Sequence, residues 1–309
     1  MNMIEVKNLT KEFNGRAILD DISFDVRVGE IFGFLGPNGA GKTTTMRILL
    51  GLLKPTSGKA TVCGKELDYN DEYRQRVGVL LENDGLYERL SAYENLKYYA
   101  QIYSVSDTEE KIRSLLEFVG LSDRQCDRVG EFSKGMKRRL ALARSIVHDP
   151  DVLFYDEPSS GLDPEAQKMV RDLILHLARE KGKTVFLNSH DLDEVQRICS
   201  KIAILQGGKI KAYDTIENLE KKYSKPAIEI ILIDDGEAEK TLDLLNSLDY
   251  VSDCELEGLK ITANVENEKI SMIISSLMKE GISVEEVKKV TRSLENIYLN
   301  IIRQSGEEI

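Results

Sequence analysis

No apolar run in the 309 residues approaches the roughly 20 that a membrane-crossing helix needs, so any membrane role is expected to require a partner chain. The opening residues, MNMIEVKN, pass straight into strand-like alternation without a basic-then-apolar segment, and no secretory signal is expected there. Cysteine is scarce: Cys63, Cys126, Cys199 and Cys254 stand far apart, form no Cys-x-x-Cys pair and have no neighbouring histidine. That spacing speaks against a disulfide framework or a structural zinc site and suits a reducing compartment. A basic stripe is also missing. The net charge is -11, and residues 226 to 309 hold 8 basic and 18 acidic side chains, leaving 34 and 35 in the first 225. With no surplus of cations to neutralise phosphates, DNA and RNA are not expected as main partners. Internal repeats and low-complexity segments are absent too.

What is present is an ordinary globular composition, 41% hydrophobic, in a chain long enough for two domains. Short strand-like runs (Ile4 to Val6, Ile18 to Val28, Ile31 to Phe34) are separated by Asn14-Gly15 and Val28-Gly29, residues suited to turns. Helical segments then alternate with apolar strands at Val152 to Tyr155, Thr184 to Asn188 and Ile202 to Leu205, the pattern of a mainly parallel α/β sheet. Ser91 with Glu94 has the form of a capping box, and Asp163-Pro164 sets an N-cap residue before a proline at the first helical position. A polar stretch from Lys221 to Pro226 closes this part. Beyond it the rhythm becomes strand (228–233), helix (237–248), strands (251–255 and 259–263), helix (268–280) and strand (282–287), with a last helix from Ser293. That βαββαβ order predicts a small ferredoxin-like domain.

Gly36-Pro37-Asn38-Gly39-Ala40-Gly41-Lys42-Thr43 fits G-x-x-x-x-G-K-[ST] between a strand and the helix-like Thr44 to Leu50. Its glycines let successive backbone N–H groups face a phosphate, Lys42 brings a cation to the β and γ phosphates, and the Thr43 hydroxyl can ligate Mg²⁺, with Thr44 beside it. Val152-Leu-Phe-Tyr-Asp156-Glu157 is an apolar strand ending in two carboxylates. Asp156 is expected beside the loop, holding the Mg²⁺ shell, and Glu157 is expected to polarise an attacking water.

These motifs, in this order, resemble the nucleotide-binding domain of the ABC transporter family over roughly the first 220 residues. The most specific match is Phe132-Ser133-Lys134-Gly135-Met136, which is similar to the family's LSGGQ signature and leads into a helix-like segment. The resemblance implies that two domains pair head to tail, so that Ser133 and Gly135 at a helix N-terminus cover ATP held by the partner's loop. It also identifies Ser159 to Asp163 with the D-loop, His190 with a histidine that reaches the γ-phosphate, and Phe13 with the aromatic ring under adenine. Glu82 stands where the family keeps the Q-loop glutamine, retaining an oxygen for Mg²⁺ or water but adding a charge. Lys134 and Met136 depart from the common Gly and Gln. Lys137-Arg138-Arg139 is read as a solvated helix face and Tyr93, Tyr98, Tyr99 and Tyr103 as packing residues.

The expected fold is therefore an α/β P-loop NTPase domain with a helical and an antiparallel β subdomain at residues 1–224, then the small α+β domain at 225–309. The expected activity is ATP hydrolysis with Mg²⁺, coupled to transport, in a dimer of two copies. A transmembrane permease is the expected further partner, contacting the segment Leu90 to Tyr103, and would hold the protein at the cytoplasmic face of the membrane. Export is implied by resemblance to exporter cassettes that end like Ser293 to Leu299. The alternatives are a soluble ABC ATPase acting on ribosomes or nucleic acid, and a sensor whose C-terminal domain binds an effector.

Overall fold

A computed structural model describes residues 1–67, 71–223, 227–265, 269–290 and 294–304. They form two compact units, Met1–Asp214 and Thr215–Ile309. The first begins with the hairpin β1 (Asn2–Phe13) and β2 (Arg16–Arg27), followed by β3 (Ile31–Leu35) and α1 (Lys42–Leu49). Next come β4 (Ser57–Val62), β5 (Lys65–Glu66) and β6 (Val77–Leu80), then three helices, α2 (Ala92–Ile102), α3 (Thr108–Phe118) and α4 (Lys134–Ser145). The unit closes with β7 (Val152–Asp156), α5 (Pro164–Arg179), β8 (Thr184–Asn188), α6 (Leu192–Ile198), β9 (Lys201–Gln206) and β10 (Lys209–Thr215).

Two sheets share this unit. The antiparallel one runs β2-β1-β4-β5 and the other β10-β9-β3-β8-β7-β6, with parallel pairing from β9 through β6. All five residues of β3 and of β8 are buried, as are the first four of β7, because both faces of a parallel sheet are covered and such strands must be apolar throughout. The β1–β2 turn is Asn14-Gly15 with φ of 51° and 77°, the doubly positive geometry that favours this pair in two-residue hairpins. The predicted capping box is present: Ser91 Oγ accepts from Glu94 N and Glu94 Oε2 from Ser91 N.

Between the two sheets Phe24 of β2 stacks on Phe32 of β3 at 5.6 Å, and Phe34, Phe154 and Phe186 complete an aromatic core. Phe186 is fully buried against the other four, so Phe186→Ala leaves a cavity under both sheets. We expect that variant to lose about 3–5 kcal/mol of stability, measured by urea unfolding of the full chain.

The second unit contains α7 (Ile216–Tyr223), β11 (Ala227–Leu232), α8 (Ala238–Asn246), β12 (Val251–Glu257), β13 (Lys260–Val265), α9 (Ile270–Lys279), β14 (Val284–Val290) and α10 (Leu294–Gln304). Its sheet runs β12-β13-β11-β14 with antiparallel neighbours throughout, the order that a βαββαβ chain makes when each helix crosses one face. Ile228, Ile230, Leu245, Ile261, Ile273 and Leu277 bury that face. The sequence pattern anticipated these elements to within a few residues but missed α7. Residues 224–226, Glu268 and Ser293, where a linker and two helix starts were expected, lie outside the described residues.

Candidate functional site

The loop after β3 is shaped by glycine. Gly36 has φ 155° and a Cβ there would lie 2.2 Å from Leu205 O; Gly41 has φ 110° and a Cβ would meet Leu19 and Ile18 O at 2.6 and 2.9 Å. No other residue fits both positions. Ala40 N donates to Pro37 O, and α1 opens directly at Lys42, so the first orphan N–H groups of the helix face the loop interior. Asn38 and Gly39 form its exposed tip and Thr44 follows on α1. Lys42 is 8% exposed and its Nζ donates to Gly36 O at 2.5 Å and Pro37 O at 3.2 Å. Burial pushes this ammonium below its ordinary pKa, while the carboxylates of Glu157 and Asp156 pull it back up. The loop cation and both carboxylates of the β7 end therefore share one electrostatic site.

Asp156 lies opposite Asn188 in the β7–β8 ladder, and Asn188 Nδ2 donates to Asp156 Oδ1 at 3.1 Å. Asn188 Oδ1 is buried and has no partner among the described residues. Glu157 turns out of the sheet with φ 49°, a left-handed conformation for a residue with a Cβ, and its N–H is held by Asn188 O. Its Oε2 lies 2.8 Å from His190 Nδ1. A carboxylate bonded to an exposed imidazole, next to a buried ammonium, can accept a proton from water beside a phosphate.

Ser133 caps α4, its Oγ accepting from Met136 N at 3.2 Å, and Asp163 caps α5, its Oδ1 accepting from Ala166 N at 2.9 Å. The two helix starts lie side by side, since a Cβ on Gly135 would come within 3.1 Å of Ala166 Cβ. Phe13, at the end of β1, leaves 45% of its surface exposed with Lys11 Nζ 4.8 Å from its ring centroid. Glu82 is exposed just beyond β6, and no hydrogen bond or ion pair among the described residues joins it to Asp156, Glu157 or His190. No group of three or more His, Cys, Asp or Glu side chains forms a metal cage among the described residues. Mg²⁺ is commonly held by one or two carboxylates plus phosphate oxygens, a demand that Thr43 and Asp156 fit.

The reading of Lys137-Arg138-Arg139 as a solvated face is corrected by the contacts. Arg138 is buried under the β7 end, Arg139 donates to Val119 O and Gly120 O, and Lys137 pairs with Glu88 at 2.6 Å. Three cations in a row fitted a surface, and only the depth of α4 against β6 and β7 reveals otherwise. Glu194 was missed as well. It is 3% exposed on α6 and accepts from Ser159 Oγ and from Ser189 Oγ, joining the segment after Glu157 to the one before His190. Of the tyrosines, Tyr103 stacks on His148 at 3.8 Å, whereas Tyr98 is exposed and packs edge-on against Tyr87.

A glycine loop on a helix start, at the carboxyl edge of a parallel sheet and facing two carboxylates, defines a P-loop nucleoside triphosphatase. Residues 19–160 match the family model described as "ABC transporter". An uncharacterized ABC transporter ATP-binding protein of Bacillus subtilis, YhcH, is 39% identical over 99% of this chain and 98% of its own. A fluoroquinolones export ATP-binding protein of Mycobacterium tuberculosis is 38% identical over 78% of this chain and 80% of its own. A solved ATP-binding subunit of an ABC transporter superposes with TM-score 0.66 at 31% identity, covering 72% of this chain and 93% of that one. The chain belongs to the ABC transporter family, as one of its ATP-binding, ATP-hydrolysing proteins.

Desolvation, the largest influence on Glu194, raises its pKa above the ordinary 4.5, with the hydroxyls of Ser159 and Ser189 opposing. A carboxyl raised on folding binds more protons folded than unfolded, so its contribution to stability is complete below pH 4.5 and is lost as pH rises through the raised value. Glu194→Gln removes that titration and keeps groups that can bond both hydroxyls. We expect its stability relative to the parent chain to be greater at pH 7 than at pH 5, read from urea midpoints.

Proposed function

We propose that the chain powers export through a separate transmembrane permease, as a dimer of two cassettes paired head to tail with ATP and Mg²⁺ between them. The observation that carries this reading is the Glu157–His190 pair beside Lys42 and Asp156. ATP would lie on the loop from Gly36 to Thr44, with Phe13 under the adenine and Lys42 on the β and γ phosphates. Mg²⁺, when bound, would neutralise charge on those phosphates, and Thr43 and Asp156 would hold it, with Glu82 as a further oxygen. Glu157 takes the proton of the attacking water, and His190 orients that carboxylate and faces the γ-phosphate. Ser133, Gly135 and Asp163 then act on the nucleotide of the other cassette.

Among the described residues no helix is long and apolar enough to cross a membrane, so contact with the bilayer would come through the permease. A cavity of about 300 Å³ lined by Tyr87, Glu88, Arg89, Leu90 and Tyr98, with both tyrosines exposed, touches the segment Leu90 to Tyr103 at Leu90 and Tyr98 and supports the surface at its start as the docking place of the permease. The direction of transport follows the name of the mycobacterial relative.

Glu157→Gln is expected to keep ATP affinity, slow turnover on the order of a hundredfold or more, and accumulate an ATP-bound dimer on size-exclusion chromatography. A variant that stays monomeric and hydrolyses ATP at the parent rate contradicts the proposal. For the head-to-tail pairing, Ser133→Asp is a cleaner probe than a substitution at Gly135, which would press on Ala166. Aspartate still caps α4 but sets a carboxylate against the partner's γ-phosphate. ATP binding by the monomer should persist while dimerisation and hydrolysis are lost; normal hydrolysis by Ser133→Asp overturns the pairing.

A further inference from the structure

Arg138 is a buried cation, 6% exposed, on the helix that Ser133 caps. Its five N–H groups make five hydrogen bonds. Nε donates to Pro158 O at 2.7 Å, Nη1 to Leu81 O and Asp84 Oδ1 at 2.8 Å each, and Nη2 to Asp156 O at 3.1 Å and Glu157 O at 2.5 Å. Three acceptors are the consecutive carbonyls of the turn leaving β7, where Glu157 has φ 49°. The other two flank Glu82 in the segment after β6. Burying a guanidinium is costly unless every donor is used, and here the acceptors are four carbonyls and one carboxylate arranged around its plane. Lysine, with three donors on a single point, cannot span this set.

We propose that Arg138 is a positioning residue that couples the two ends of the cassette: it ties the helix start at Ser133 to the turn that aims the Glu157 carboxylate and to the segment carrying Glu82. The inference rests on the roles proposed above for Ser133 and Glu157. Arg138 lies five residues after Ser133, about 7.5 Å along a rigid helix, so a second cassette seating on Ser133 displaces the guanidinium with it. The guanidinium holds the carbonyl of Glu157 itself, in a backbone conformation that surrounding bonds must enforce. Occupation of the partner's nucleotide site is thereby transmitted to the proton acceptor of the chain's own site.

The test compares Arg138→Lys with the parent chain, alone and in the Glu157→Gln background, using full-length protein, a fluorescent ATP analogue for binding and radiolabelled ATP for single turnovers. Arg138→Lys should bind ATP within about twofold of the parent and keep its KM. Its kcat should fall about tenfold to a hundredfold, the scale of a small misplacement of a reacting group. In the Glu157→Gln background the same substitution should cost nothing further, because the group it positions is gone. Parent-like kcat, or an equal fold-loss in both backgrounds, overturns the inference. If Arg138→Lys fails to fold, Asp84→Asn weakens one arm of the junction alone. A lowered kcat with unchanged ATP affinity then supports the role, and an unchanged kcat overturns it. Parent-like turnover by Glu157→Gln alone would instead sink the catalytic reading of Glu157.

Discussion

The parallel ladder β3–β8–β7 is the constraint on which the rest of the first unit depends. Its strands are buried on both faces, so no charge can sit along them and every group able to do chemistry is displaced to the carboxyl edge. In register, Phe34 of β3 lies opposite Asn188 of β8, which lies opposite Asp156 of β7. One row across three strands thus sets the glycine loop, the Asn188–Asp156 bond and the start of the Glu157 turn at the same level. A slip of one residue in β7 would turn the Asp156 side chain to the opposite face of the sheet. The aromatic core beneath, from Phe24 to Phe186, resists such a slip because each ring occupies a place fixed by its strand neighbours.

Above that edge the loops are held by buried polar side chains rather than by more core. Glu194 gathers Ser159 and Ser189, and Arg138 gathers the carbonyls of Asp156, Glu157 and Pro158. Both groups are charged or titratable and almost without solvent, so their worth depends on complete satisfaction by neighbours. The helices that carry them bring different chain segments to one place: α4 reaches from the Ser133 cap and α6 from the turn beside His190. Local shape at the site is therefore tied to where these helices pack.

What was legible in the sequence was chemistry with local spacing. The loop from Gly36 to Thr43 declares itself because its backbone geometry needs glycine at fixed offsets, and the strand ending at Asp156 because burial demands an unbroken apolar run. The βαββαβ rhythm of the second unit was legible for the same reason, each period being local. Arg138 was not, since its five acceptors come from residues 18 to 57 positions away and a triplet of cations reads the same whether exposed or buried. Glu194 was hidden likewise, inside an acidic helix start with Asp191 and Asp193 that looks like dipole compensation. Neither the length of β1, continued past bulges to Phe13, nor helix α7 had a periodic signal long enough to read.

Lys42 shows why such a site asks for an anion. Its ammonium is buried, its charged form is disfavoured by desolvation, and its hydrogen bonds go to two carbonyls, with no carboxylate in ion-pair contact among the described residues. Asp156 and Glu157 act on it only through space, Asp156 being bonded to Asn188 and Glu157 to His190. Were either carboxylate to reach Lys42, the pair would neutralise itself and the loop would lose its attraction for phosphate. The Asn188 and His190 contacts occupy the two acids and leave the cation's field directed into the loop, where the backbone N–H groups also converge. In the proposed function, a triphosphate entering there would meet an ammonium already largely stripped of water, whose bonds to Gly36 O and Pro37 O it would exchange for phosphate oxygens.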